Sequence, residues 1–128
     1  MSALRIAVAD DERDTREFLQ KVLERVGHVV LGPVDNGRQL VELCLESMPD
    51  LVITDIRMPY LDGDHALREI HEVHPVPCIV LSAFGNTSEM AFETNKVPWA
   101  FLGKPFRRGD LLDAIHQLMP SETSESPS

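Results

Sequence analysis

Leu51-Val52-Ile53-Thr54-Asp55-Ile56-Arg57-Met58-Pro59 joins a short apolar, β-branched run to a carboxylate and then to a proline. A continuous apolar run of this length, without polar alternation, reads as a strand covered on both faces, the kind found in parallel sheets. Asp55 stands where that run stops. Outward from it the same grammar recurs: Leu4 to Ala9 precedes Asp10-Asp11, Cys78 to Leu81 precedes Ser82, and Trp99 to Leu102 precedes Lys104-Pro105. A further run, His28 to Leu31, completes five strands.

The segments between them carry helical spacing. From Glu12 to Val26, Phe18, Leu19, Val22, Leu23 and Val26 share one stripe, and Gly27 follows where a left-handed residue closes a helix. A second helix is predicted from Asn36, a good cap, to Met48, with Pro49 ending it. Ala66, Leu67, Ile70 and Val73 mark a third. A short fourth starts near Asn86, with Glu89 at capping-box spacing, and stops before Pro98. The fifth uses Leu111, Leu112, Ile115, Leu118 and Met119, and its start at Arg107-Arg108-Gly109 is expected to fray, because cations oppose the helix dipole there. Five strands alternating with five helices predict a doubly wound α/β sheet with right-handed crossovers and its chemistry at the carboxyl ends of the strands. One domain over residues 1–119 is expected, followed by a disordered, acidic, Ser-rich tail at 120–128.

Composition narrows the function classes. Twelve Lys+Arg against twenty-one Asp+Glu give a formal charge of −9, a field that repels phosphate backbones and anionic lipid, so direct nucleic-acid or membrane binding is not expected. Cys44 and Cys78 sit inside apolar runs and read as small buried hydrophobes. With no signal-peptide-like start and no apolar stretch of spanning length, the expected location is cytoplasmic.

Asp10, Asp11, Asp55, Ser82 and Lys104 all fall at strand ends and would converge on one mouth of the sheet. Taken singly, each has an ordinary explanation: Asp10 and Asp11 as carboxylates favoured by a helix N-terminus, Ser82 as a strand-end hydroxyl, Lys104 as a surface cation. Together they describe a site. Three clustered carboxylates repel one another, and a hard divalent cation with oxygen ligands relieves this, which suits Mg²⁺ (or Mn²⁺). A lysine and a hydroxyl beside the cation would hold an anion, and a phosphoryl group fits, with a carboxylate as acceptor.

At this point Val8-Ala9-Asp10-Asp11-Glu12, Asp55-Ile56-Arg57-Met58-Pro59 with Asp62-Gly63, Leu81-Ser82-Ala83 and Lys104-Pro105-Phe106 resemble the response regulator receiver family, over Leu4 to about Met119. The resemblance implies a flavodoxin-like strand order 2-1-3-4-5 with helices on both faces. It implies that Asp55 accepts a phosphoryl group from a sensor histidine kinase or a phosphotransfer protein. Asp11 would ligate Mg²⁺ directly, Asp10 largely through water, and the backbone carbonyl of Arg57 would complete the ligands. Ser82 and Lys104 would bind phosphoryl oxygens, the Lys104-Pro105 bond would be cis, and Phe101 would be the switch aromatic. The output would be the surface of the fourth helix, fifth strand and fifth helix, acting on a target protein, an output domain or a second copy as a homodimer. Such a protein is not a conventional enzyme, although it promotes its own phosphoryl transfer and autodephosphorylation.

Several features depart from the family pattern. Arg57 and Phe84, each two residues past a site residue, are bulky and predict slow autodephosphorylation. Asn95-Lys96-Val97-Pro98-Trp99 replaces a Gly/Ala-rich segment, leaving Trp99, with Val97 and Phe101, either as an apolar contact patch or as a ring half-covered by its own helices. Leu81-Ser82-Ala83-Phe84 is also similar to receivers joined to antiterminator RNA-binding domains, so the chain reads as a stand-alone regulator or a piece of a longer one. Two other functions compete: a binding module that signals without phosphate, against which the full retention of Asp10, Asp11, Asp55, Ser82 and Lys104 speaks, and an enzyme on the same fold. The latter lacks both a Gly-x-Gly-x-x-Gly after the first strand and a second Asp after Asp55-Ile56.

Overall fold

The structure, a computed structural model, describes residues 3–83 and 89–120. Elements follow in the order β1 (Arg5–Ala9), α1 (Arg13–Arg25), β2 (Val29–Val34), α2 (Gly37–Ser47), β3 (Leu51–Asp55), α3 (Gly63–His71), β4 (Cys78–Ser82), β5 (Trp99–Gly103) and α4 (Arg108–Leu118). The five strands form one parallel sheet in the order β2-β1-β3-β4-β5. The family's expected architecture is thus present, with four helices among the described residues.

The pleat divides the core. Ile6, Val8, Leu51, Ile53, Ile79 and Leu81 turn to one face and pack on Leu19, Val22 and Leu23 of α1 and Leu111 and Ile115 of α4. Their alternates Ala7, Ala9, Val52, Cys78 and Val80 turn to the other, against Leu40, Val41 and Cys44 of α2 and Ala66, Leu67 and Ile70 of α3. Side chains one residue apart point to opposite faces, so strands buried on both sides must be apolar throughout. Both cysteines lie in the second layer as free, buried thiols that burial pushes up to about 12, which leaves them inert packing groups.

Local chemistry sets the ends. Gly27 takes φ +102 behind α1. The Asn36 side chain accepts from Gln39 N at 2.9 Å and caps α2, while Met48 closes it in the left-handed region. The weak start expected for the last helix is offset by Asp110, whose carboxylate accepts from Arg107 N at 3.0 Å and supplies the anion that the dipole favours. In β2 the cis Gly32–Pro33 bond accompanies a register shift against β1 between Ala7 and Ala9, on an edge strand where a missing N–H is tolerated.

The fourth helix requires correction. Asn86 to Ser88 lie outside the described residues, and residues 89–98 form bends and turns rather than helix. Phe92 and Val97 are both buried there, yet on a helix residues five apart would diverge by about 140°. An irregular path lets both reach the core. The contact patch is corrected with it: Val97 is buried, and Trp99 is half-buried with its ring edge-on to Phe92, centroids 5.7 Å apart. The tail segment 121–128 also lies outside the described residues. Among the described residues no helix is long and apolar enough to cross a membrane.

His28 opens β2 as a buried ring whose Nδ1 accepts from Leu4 N at 3.1 Å, and burial lowers its pKa from the ordinary 6.5. Its contribution is therefore complete above pH 6.5 and lost as the pH falls. The stability advantage of the wild type over His28→Asn, measured by urea denaturation, should narrow from pH 7.5 to pH 5, whereas a constant gap would refute this.

Candidate phosphoryl and cation site

The sheet order brings β1, β3, β4 and β5 side by side, and four of the predicted residues meet at their carboxyl edge. Asp10 follows β1 and is fully buried; its N–H donates to Val34 O at 3.1 Å, and its Oδ1 accepts from Glu12 N at 2.9 Å. Asp55 closes β3 and is 7% exposed, with Oδ1 accepting from Ile56 N at 2.9 Å. Asp11 is exposed at the rim. One carboxylate oxygen from each of Asp10, Asp11 and Asp55 lies within 4.8 Å of the others.

Lys104 enters from the far end of β5, its N–H donating to Ser82 O at 2.8 Å and its bond to Pro105 cis, as the resemblance implies. The ammonium stands 2.9 Å from Asp10 Oδ2, 3.1 Å from Glu12 Oε1 and 3.4 Å from Asp55 Oδ2. Burial works against its charge, but the hydrogen bond and charge of Asp10, followed by Asp55 and Glu12, outweigh this and raise its pKa. Glu12, quoted in the motif but given no role from sequence, is held below its usual range by that same ammonium.

Asp55 and Asp10 respond in the opposite sense from Glu12. Desolvation, then the charge of Asp10, pushes Asp55 from 3.8 up to about 6, against Lys104 and the Ile56 N–H. Asp10 is raised chiefly by burial. One ammonium thus fails to settle the cluster. Asp10 Oδ2 is buried and, apart from that ammonium, has no hydrogen-bond partner among the described residues. A buried oxygen partnered by that ammonium, two further carboxylates within reach and a hard oxygen donor set fit Mg²⁺.

The remaining predicted residues are placed less centrally. Ser82 is buried one residue past Leu81, the register partner of Asp55. Phe101 is half-buried on edge strand β5, opposite Val80 and two residues short of the mouth. The Arg57 side chain is exposed, and Phe84 lies outside the described residues. Two features escaped the sequence. Gly63 packs so closely that a Cβ would run into the Asp55 carbonyl, while Gly63 N donates to Ile56 O at 2.6 Å and Thr54 Oγ1 to Asp55 O at 2.9 Å. Tyr60, 84% exposed, takes φ +71 in the same loop, a conformation rarely tolerated by a large side chain. A second group, Asp62, Asp64 and His65, resembles a metal cluster, but both Asp64 oxygens already accept N–H groups.

The raised Asp55 pKa is a stability statement. The folded protein carries little penalty below pH 4 and acquires it as the pH rises through about 6, where the folded carboxylate finally ionises. In EDTA, Asp55→Asn should raise unfolding stability at pH 7.5 by on the order of 2 kcal/mol, and the gain should shrink towards pH 4.5. An equal gain at both pH values would contradict this electrostatic account.

Comparison with known proteins agrees with this geometry. A family model, the response regulator receiver domain, matches residues 6–116. The chain is 36% identical over 111 residues to the transcriptional regulatory protein PdtaR of Mycobacterium tuberculosis, covering 87% of this chain and 54% of that protein, and so spans about half its length. It is 35% identical over 118 residues to the chemotaxis protein CheY of Bacillus subtilis, covering 91% of this chain and 98% of that one. Among solved structures, the receiver domain of the sensor histidine kinase PA1611 from Pseudomonas aeruginosa PAO1, with a magnesium ion coordinated in its active site cleft, superposes with a TM-score of 0.79. It shows 25% identity, over 94% of this chain and 100% of that one. With the family pattern running through the sheet and the acidic mouth alike, the chain belongs to the response regulator receiver family of two-component signalling.

Proposed function

We propose that Asp55 is the phosphoryl acceptor of this chain and that Asp10, Asp11, Asp55 and the Arg57 carbonyl hold Mg²⁺ (or Mn²⁺) beside it. The observation that carries the reading is the Lys104 ammonium set between the carboxylates of Asp10 and Asp55 at the sheet's carboxyl edge. A cation and an adjacent acidic set with a buried, under-partnered oxygen form a two-part receptor, one part for metal and one for anion. When bound, Mg²⁺ would offset carboxylate repulsion and neutralise charge on the phosphoryl oxygens.

In the transfer, an Asp55 carboxylate oxygen attacks the phosphorus of a phosphohistidine donor. The new P–O bond forms as the P–N bond breaks, the electron pair leaves with the imidazole, and an acyl phosphate remains on Asp55. Asp55 is ionised for this at neutral pH, since its pKa reaches only about 6. Lys104 is already in place to pair with a phosphoryl oxygen, and the Ser82 hydroxyl, at the neighbouring strand end, would donate a hydrogen bond to a second one. Hydrolysis requires water in line with the phosphorus. Exposed Arg57, two residues from Asp55, hinders that approach and makes autodephosphorylation slow.

The donor is a sensor histidine kinase or a phosphotransfer protein, and the site works in the cytoplasm. The response is a population shift in which Phe101 changes its packing on β5. The output face is residues 89–98, β5 and α4, presented to a target protein, an output domain or a second copy of the chain.

Incubation with Mg²⁺ and acetyl phosphate should add one phosphoryl group by intact mass to the wild type and none to Asp55→Ala, and EDTA should abolish the gain. Arg57→Ala should be phosphorylated as well but lose the group faster. Uptake that survives Asp55→Ala would refute the assignment, and no uptake by a folded wild type would favour a phosphate-independent binding module.

A further inference from the structure

Asp64 lies in the first turn of α3, where an aspartate is expected to face solvent and complement the helix dipole. Instead its side chain is only 12% exposed, and its two oxygens are spent on different tasks. Oδ1 accepts from the adjacent His65 N at 3.0 Å. Oδ2 accepts from Ala91 N at 3.1 Å, twenty-seven residues away in the irregular segment 89–98 that precedes β5. A buried carboxylate taking a backbone N–H is a charge-assisted bond, stronger than a neutral one and costly to leave unmade.

The bond joins two parts of the switch. On one side, Asp64 follows Gly63, whose backbone presses on the Asp55 carbonyl with no space for a Cβ and whose N–H is tied to Ile56 O. Displacement of the Asp55 peptide therefore passes directly to the first turn of α3. On the other side, Ala91 precedes buried Phe92, which stands edge-on between His71, at 5.3 Å, and Trp99, at 5.7 Å, the first residue of β5. Trp99 is two residues from Phe101. The route from Asp55 to β5 is a run of direct contacts, a path along which packed side chains and hydrogen bonds can carry coupling if one of them has two arrangements.

We propose that Asp64 is a positioning residue that latches segment 89–98 to α3 through the Ala91 N–H in the unphosphorylated protein and lets it go when Asp55 is phosphorylated. This rests on the reading of Asp55 as acceptor. The latch restrains the output segment, so its loss should favour the active arrangement, and with it phosphoryl uptake, without altering any residue of the acceptor site. Asn at position 64 retains a carbonyl oxygen able to accept from Ala91, whereas Ala does not.

Amide hydrogen exchange at Ala91, the emission of Trp99, the chain's single tryptophan, and intact mass test this together in wild type, Asp64→Asn and Asp64→Ala. In unphosphorylated wild type the Ala91 amide should exchange at least about tenfold more slowly than in the acetyl-phosphate-treated protein. Asp64→Ala should exchange fast without phosphate, show the emission of phosphorylated wild type and take up phosphoryl faster; Asp64→Asn should restore wild-type behaviour in all three. Should Asp64→Ala fail to fold, the wild-type amide comparison decides alone. Mass gain with an unchanged Ala91 amide overturns the latch while leaving Asp55 as acceptor. No mass gain in folded wild type overturns the acceptor reading and the coupled release with it.

Discussion

A single ammonium ion in partial burial faces more carboxylate than it can neutralise, and the arrangement of the carboxyl edge depends on that imbalance. Lys104 reaches Asp10, Glu12 and Asp55 within 3.4 Å, and Asp11 adds a further charge at the rim. Burial raises the cost of each charge, so Asp10 and Asp55 are shifted towards their neutral forms even with Lys104 present. The fold holds together a set of charges that is unfavourable in isolation, which is what a site awaiting a cation and an anion requires.

The sheet bears the cost. Parallel pairing sets Asp55 beside Leu81 and carries Ser82 and Gly103 to the same level, and the layers on both faces consist of apolar side chains locked by the pleat. The loop after β3 is seated against the acceptor by the missing side chain of Gly63 and by Thr54, so Asp55 has little freedom to relax from its neighbours. Close support at the acceptor contrasts with the irregular segment at residues 89–98, which leads into edge strand β5.

Most of this was legible because it is written in local patterns. Five apolar runs gave the strands to within a few residues, four of them leading to a polar residue of the mouth, and Asn36 and Gly27 act at the helix ends they were expected to mark. What escaped depends on partners distant in the chain. The spacing of Asn86 and Glu89 suggested a helix over a segment that is irregular at 89–98, because burial of both Phe92 and Val97 and the capture of Ala91 by Asp64 outweigh local preference. Asp64 itself read as an ordinary first-turn acid, and Glu12 as part of a motif with no task. No sequence window reveals that Gly63 lies against the Asp55 carbonyl or that Lys104 has three acidic partners.

The central claim is that Asp55, rather than Asp10 or Asp11 a few ångströms away, carries the phosphoryl group. Borohydride converts an aspartyl phosphate to homoserine, so reduction of the phosphorylated protein followed by peptide sequencing by mass spectrometry locates the acceptor without a substitution. The account predicts homoserine at position 55 alone. Homoserine at position 10 or 11, or phosphoryl uptake that leaves no reducible aspartate, would contradict it.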